Sequence, residues 1–158
     1  MNKWFIFNFL LLVLAVWQIT ERTQLPIIPI HIAFGAAGMF LFLFNWTRHA
    51  VFSTIRNTTN KQTKIKLANM SKKIVPYHRW IGTTALILIS IHATLVINLF
   101  GPDFENMKLL SGLLAGAVLG AMVISGWLRL IWPSVTKRMV HIWLGITLFF
   151  LIAIHLIM

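Results

Sequence analysis

The sequence predicts an all-α protein, an integral membrane bundle of five transmembrane helices. Of its 158 residues, 58% are hydrophobic, and the mean hydropathy is +0.82. A soluble domain of this size could not bury so much apolar surface in one core, whereas a membrane protein exposes it to lipid. Five apolar runs are each long enough to cross a hydrocarbon layer of about 30 Å, so five spans are expected.

Most of the five spans have boundary signals in the sequence. The first follows Lys3 as a signal peptide would, but no small-residue cleavage site precedes "ERTQLP", so a retained span is favoured. Pro29 suits the start of the second, and the turn "FGPD" ends the third. The fourth and fifth are separated by the short segment after Trp132. The predicted spans are 4–20, 27–47, 75–99, 109–132 and 139–158, with a basic loop at 48–74, and together they make 1–158 a single transmembrane domain.

Charge patterning predicts the orientation. The loop 48–74 and the connection between the fourth and fifth spans carry only basic charges, whereas the three acids, Glu21, Asp103 and Glu105, lie in the other two connections. The positive-inside rule then places the N-terminus in the cytoplasm and the C-terminus outside the cytoplasmic membrane. The formal charge of +11 is attributed to topology and lipid contact, with an acidic docking partner as the alternative, and no nucleic-acid partner is expected.

Four of the six histidines form two pairs with the same spacing. His78 and His92 in the third span are 14 residues apart, as are His141 and His155 in the fifth. At about 100° per residue, 14 steps fall about 40° short of four turns, so each pair shares one helix face and spans about 21 Å along the axis. Because both spans run outward, His78 and His141 are predicted at the inner level, and His92 and His155 at the outer level.

This arrangement predicts two b-type haems. A bis-histidine haem iron takes one neutral imidazole from each side, which each level supplies. The chain has no cysteine, which excludes thiolate metal sites and covalently attached c-type haem. The predicted ligands are His78 and His141 for the inner iron, and His92 and His155 for the outer iron.

Glycines near the histidines support the haem prediction. "HRWIGTTALILISIH" and "HIWLGITLFFLIAIH" share the frame H-x3-G-x9-H, and the glycines are Gly82 and Gly145. A residue at i+4 lies on the same helix face, so its missing side chain would leave room for a flat macrocycle. The second span repeats part of this frame with His31, which is predicted to be an interfacial histidine with a local hydrogen bond or, alternatively, a substrate site or alternative ligand beside the outer haem.

Two arginines flank the inner ligands. Arg79 and Arg138 are candidates to bind haem propionates, or they are ordinary inside-positive residues. No acid lies within a span, so a carboxylate proton relay is not expected. A glycine-rich nucleotide fingerprint is also absent, so electrons are predicted to come from a cytoplasmic flavoprotein or from membrane quinol.

The paired 14-residue histidine spacing resembles the ferric reductase-like transmembrane domain. The resemblance covers the second to fifth spans and rests on His78, His92, His141, His155 and the cytoplasmic arginines. It implies two haems bridged between the third and fifth helices, which pass electrons from an inner flavin donor to an outer acceptor. The chain departs from that family in having five helices and no flavin or nicotinamide domain.

The predicted function is therefore a dihaem b-type cytochrome that carries electrons across the membrane to an external acceptor. One alternative is a non-catalytic haem-bearing anchor subunit of a larger quinone-linked dehydrogenase, because other four-histidine b-type cytochromes share similar spacing. A second alternative is a haem-free membrane transporter or assembly factor, in which the histidines serve packing or transient metal binding.

Overall fold

The computed structural model of the chain describes residues 3–23 and 27–158. This part folds into five helices and contains no strand, so the all-α prediction is confirmed. Each helix is long and apolar enough to cross a membrane. The helices are α1 (Lys3–Arg22), α2 (Ile30–Asn57), α3 (Lys61–Phe100), α4 (Met107–Ile131) and α5 (Val135–Ile157).

Large apolar side chains cover the outside of the bundle. Phe9, Trp17 and Phe100 are 64%, 57% and 69% exposed, which is compatible with lipid as the surrounding solvent. The buried core is correspondingly small and lies where α1, α2, α4 and α5 meet. Its members are Leu11, Ala15, Met39, Phe42, Leu43, Trp46, Ala115, Leu119, Leu148 and Phe149.

Polar caps define the starts of three helices. The Asn60 side chain accepts a hydrogen bond from the Thr63 amide at the start of α3. Asn106 and Ser134 cap α4 and α5 in the same way. A side-chain oxygen at this position satisfies a backbone amide that the first helical turn leaves without a partner. The connections between these helices are short, and consecutive helices lie alongside one another.

Contacts between the helices give their relative directions. On α2 and α3, His31 meets His92 and Asn45 meets His78, so these two helices are antiparallel. On α3 and α5, His78 lies beside His141, and the later histidine of each helix also pairs with its counterpart. The third and fifth helices therefore run parallel and in register.

The predicted basic loop at 48–74 is wrong as a loop. Helix α2 continues to Asn57 and α3 begins at Lys61, so the connection between them is only three residues long. The many lysines and arginines hid a helical pattern in this segment, because an apolar window detects only the membrane span. Leu67, Ser71 and Ile74 recur on one face of α3 and line a cavity between it and α2.

The extra helical length has a geometric consequence. At 1.5 Å per residue the 40 residues of α3 are about 60 Å long, twice the thickness of a hydrocarbon layer. The basic N-terminal part of α3 and the end of α2 thus form a helical hairpin beyond the apolar part of the bundle. His78, the first histidine of α3, lies where this hairpin meets the apolar part of the bundle.

Candidate functional site

The four paired histidines meet across α3 and α5. The ring centroids of His78 and His141 are 6.1 Å apart, with an angle of 76° between the ring planes. Those of His92 and His155 are 6.5 Å apart, with an angle of 80°. All four side chains are half-buried. The structure therefore brings together the residues that the sequence pairs, as two separate two-histidine sites.

His141 is held by the last turns of α4. Its Nδ1 lies 3.1 Å from the carbonyl oxygen of Met122 and 2.9 Å from Oγ of Ser125. A carbonyl oxygen can only accept, so Nδ1 carries the proton and Nε2 of the neutral ring keeps its lone pair. Gly126 provides the space, since a Cβ there would lie 3.3 Å from Cε1 of His141.

His155 is held in the same way by the first turns of α4. Its Nδ1 lies 3.1 Å from the carbonyl oxygen of Lys108 and 3.2 Å from Oγ of Ser111. A Cβ on Gly112 would lie 2.8 Å from Cε1 of the ring, closer than real side chains approach. The imidazole therefore packs directly on the helix backbone, again with the proton on Nδ1.

His92 is held by α2. Its Nδ1 donates to the carbonyl oxygen of His31 over 2.7 Å. Gly35 makes room for the ring, because a Cβ there would lie 2.9 Å from that Nδ1. Three of the four histidines thus donate through Nδ1 to a backbone carbonyl, an arrangement typical of histidines that bind a metal through the other nitrogen.

His78 differs from the other three. Its Nδ1 is buried and finds no hydrogen-bond partner among the described residues. The contact it makes with α2 is through its own carbonyl, which accepts from Nδ2 of Asn45 over 3.0 Å. The ring of His78 is thus held by packing and by its neighbour His141.

The two glycines of the shared frame occupy different surroundings. Gly82 is half-buried, and a Cβ there would lie 3.5 Å from Nδ2 of Asn45. Gly145 is buried, and a Cβ there would lie 3.0 Å from the Trp46 ring and 3.6 Å from Sδ of Met122. In this structure the space over Gly145 is filled by Trp46. The role of both glycines beside a macrocycle stays a prediction.

His31 presents its backbone, and not its ring, to the histidine pair. The His31 ring packs edge-on against Phe100, with centroids 5.7 Å apart. Its carbonyl accepts the hydrogen bond from His92 described above. This hydrogen bond joins α3 to α2 through the main chain of His31, so it does not depend on the identity of the side chain. The local hydrogen bond expected of the His31 side chain stays a prediction.

Two of the arginines lie near the His78–His141 pair. Arg48 and Arg129 lie close enough to both imidazoles to act on them electrostatically. Arg79 lies over the Trp127 ring, 5.3 Å from its centroid. Nε of Arg48 and Nη1 of Arg79 are buried, and neither has an acceptor within the described ranges. One buried nitrogen of Arg48, which acts on this pair, and one of Arg79 therefore lack an acceptor among the described residues. Arg138, by contrast, is exposed.

The spacing of the paired rings can be compared with what one metal ion between them requires. A metal–imidazole bond is about 2.0–2.1 Å and the bonded nitrogen lies about 1.2 Å from the ring centre, so two rings on opposite sides of one ion have centres about 6.4 Å apart. The observed separations of 6.1 and 6.5 Å lie on either side of this value. The spacing, the Nδ1 donors and the unpaired guanidinium groups all fit a bis-histidine haem with propionates.

Other metal sites have less support. Residues 3–23 and 27–158 contain no group of three or more His, Cys, Asp or Glu side chains arranged to hold an ion. A tetrahedral zinc site draws on three or four such ligands. A pair of imidazoles is, however, the number that the iron of a six-coordinate haem takes from the protein.

The sequence prediction missed the residues that orient the histidines. These residues lie in the fourth span, where Gly112 allows a close approach of His155 to the helix backbone. The available signal was the dipeptide Ser-Gly, which occurs at 111–112 and again at 125–126. The sequence prediction treated Arg48 only as one of the basic residues of the loop 48–74.

Comparison with known protein families, curated protein sequences and solved structures finds no match for this chain.

Proposed function

We propose that the protein is a dihaem b-type cytochrome that carries electrons across the cytoplasmic membrane. The observation that supports this best is the matched pair of imidazole sites, with ring centroids 6.1 and 6.5 Å apart. His78 and His141 would hold one haem, and His92 and His155 the other. The resemblance to ferric reductase-like domains, which rests on the sequence pattern, favours the same function.

The residues around each pair have definable roles. Donation from Nδ1 to a carbonyl fixes the tautomer of three histidines and leaves Nε2 as the ligand atom. Haem supplies reversible one-electron chemistry, and the protein supplies its position and environment. The five helices are apolar, and the two pairs are separated by about 21 Å along the helix axis.

The arginines would neutralise the propionate carboxylates of the haem held near His78. Arg48 and Arg79 carry the buried donors that lack acceptors in the described structure. Haem propionates are anions, and charge-assisted hydrogen bonds from guanidinium groups to carboxylates are among the stronger hydrogen bonds in proteins. Arg138 is exposed and is a weaker candidate for this role than the sequence indicates.

The charge distribution supports an orientation with the basic hairpin in the cytoplasm. The His78–His141 pair would then face a cytoplasmic flavoprotein or membrane quinol as electron donor, and the His92–His155 pair would face an external acceptor. With basic residues on one side of the membrane and Asp103 and Glu105 on the other, the N-terminus would be cytoplasmic and the C-terminus external.

Electron transfer across a vesicle membrane tests this function. Purified protein is reconstituted into lipid vesicles with ferricyanide trapped inside, and dithionite is added outside. We expect ferricyanide to be reduced faster than in protein-free vesicles, because the reductant itself crosses the bilayer slowly. The His92→Ala variant, which interrupts one pair, serves as the control and should return the rate to that of empty vesicles. Equal rates with and without wild-type protein would contradict the proposal.

The same preparation distinguishes the anchor-subunit alternative. A self-sufficient reductase reduces an external acceptor when it is given reduced flavin or quinol alone. An anchor subunit binds haem and transfers electrons from dithionite, but it shows no turnover with quinol until its partner subunits are added. The haem-free alternative predicts no absorption bands of haem in the purified protein.

A further inference from the structure

Helix α4 contains a 14-residue repeat that matches the repeat of histidines on α5. The groups that contact His155 recur 14 positions later as the groups that contact His141. Since α4 and α5 are antiparallel, the first copy on α4 meets the second histidine on α5. The repeated elements are a carbonyl at Lys108 and Met122, a serine at 111 and 125, and a glycine at 112 and 126.

The serine in each copy has a defined orientation. Ser125 Oγ donates its proton to the carbonyl of Met122 over 2.7 Å. Ser111 Oγ donates to the carbonyl of Lys108 over 2.9 Å. Because the hydroxyl proton is used within the helix, the lone pairs of Oγ remain for the imidazole N–H. The serine is therefore an acceptor for the same Nδ1–H that points at the carbonyl.

We propose that Ser111 and Ser125 are positioning residues that set the redox balance of the two haem sites through His155 and His141. This inference rests on the proposed function, since it concerns the strength of the histidines as haem ligands. Each serine shares the Nδ1 proton with a backbone carbonyl and increases the electron density at Nε2. The neighbouring glycine lets the ring approach the helix closely enough for both bonds to form.

The direction of the effect follows from the charge on iron. An acceptor at Nδ1 makes the imidazole a stronger electron donor, and a stronger donor stabilises the ferric state relative to the ferrous state. Removing the hydroxyl should therefore favour reduction at that level only. A single neutral hydrogen bond contributes about 0.5–1.5 kcal/mol, so we expect a change of about two- to tenfold in the equilibrium between ferric and ferrous iron.

Redox titration of the haem-loaded protein tests this inference. The Ser125→Ala and Ser111→Ala variants are titrated against mediators while the visible spectrum is recorded, and haem content is measured in parallel. We expect two haems to be retained in each variant. In each variant, one of the two haem redox transitions should move to higher potential. The two variants should affect different transitions. Ser125→Thr and Ser111→Thr, which keep the hydroxyl, should restore the wild-type titration.

A matched control is present on α3. Ser90 also donates to a carbonyl of its own helix, that of Leu86 over 2.9 Å, but it is exposed and contacts no histidine in the described structure. Ser90→Ala should therefore leave both transitions unchanged. This control separates an effect on the imidazole from a general effect of removing an intrahelical serine bond.

The outcomes separate this inference from the proposed function. Unchanged transitions in both alanine variants, with two haems bound, would overturn the inference and leave the function standing. Loss of one haem in an alanine variant but not in its threonine counterpart supports positioning by the hydroxyl. Loss in both would mean that keeping the hydroxyl is not sufficient to position the ring, which also overturns it. Wild-type protein without haem would instead refute the proposed function.

Discussion

Nδ1 of His92 donates to the carbonyl oxygen of His31 over 2.7 Å, and this bond joins α3 to α2. The acceptor belongs to the backbone, so the contact fixes the His92 tautomer whatever side chain occupies position 31. His92 is thereby oriented from one side by α2 and faces His155 of α5 on the other. The His92 ring of α3 therefore contacts both α2 and α5.

This relationship predicts different results for two histidine substitutions. His92→Ala should lower the haem content of the purified protein from about two per chain to about one, because one of the two proposed haems would lose a histidine that holds it. His31→Ala should keep about two, since the backbone acceptor remains. Haem per chain is measured by pyridine haemochrome. Loss of a haem on His31→Ala would show that its ring is a ligand.

The unpaired guanidinium groups predict a role for Arg48 in haem retention. Arg48→Gln removes a charged donor near the His78–His141 pair, and hydrogen bonds to charged groups contribute about 1.5–3 kcal/mol. Haem should therefore leave this site about ten- to a hundredfold faster, as measured by transfer to an apoprotein acceptor.

Arg56→Gln is the matched control for Arg48→Gln, because Arg56 is an exposed arginine near the end of the same helix. Haem should leave this variant at the wild-type rate. An equal acceleration in both variants would point to the net charge of the protein and not to a specific contact.

The close packing of His155 on α4 predicts a steric effect at Gly112. A Cβ added at this position would lie 2.8 Å from Cε1 of His155, so Gly112→Ala should displace the ring and weaken haem binding at this pair. In an unconstrained helix the same change is favourable by about 1 kcal/mol. Haem content and thermal stability are measured together.

Gly120→Ala provides the comparison on the same helix, since a Cβ there would meet no described atom within 4 Å. This variant should bind both haems and be as stable as wild type or slightly more so. If Gly112→Ala behaved identically, His155 would not be packed on α4 as described.

The helical hairpin predicts protected amides where the sequence alone suggests a loop. Hydrogen–deuterium exchange of the protein in detergent or lipid should show protection across 65–74, because these amides donate within α3. Asn60→Ala removes the N-cap, which typically costs about 1 kcal/mol, and should raise exchange in the first turn. Rapid exchange throughout 61–74 in wild type would contradict the hairpin.

The proposed orientation is testable because the chain contains no cysteine. Single cysteines introduced as Lys64→Cys and Asp103→Cys can be labelled in intact cells with a reagent that does not cross the membrane. We expect labelling at position 103 and not at 64, because basic segments remain in the cytoplasm. The reverse pattern would place the His78–His141 pair on the external side.

The membrane spans were predictable because apolar composition and length suffice to define them. The pairing of His78 with His141 was also accessible, since a 14-residue spacing on two parallel helices places side chains at equal heights. What hydropathy missed was helix beyond the apolar runs: Leu67 and Ile74 follow a helical period within a lysine-rich segment.

The supports of the histidines were harder to predict for a different reason. Ser125 and Gly126 act through a contact with α5, and one sequence does not indicate which face of α4 meets which helix. The carbonyls of Met122 and His31 could not be identified from the sequence, because every residue has a backbone carbonyl. Only the repeated Ser-Gly dipeptide, in register with the histidine spacing, carried this information.

The haem-to-chain ratio of the purified wild-type protein tests the central claim most directly. Protein is expressed with ample haem supply, and haem is measured by pyridine haemochrome against protein from amino-acid analysis. We expect about two b-type haems per chain, each six-coordinate and low-spin, since each iron would take two histidine ligands. A ratio near zero, with the helices folded, would contradict it.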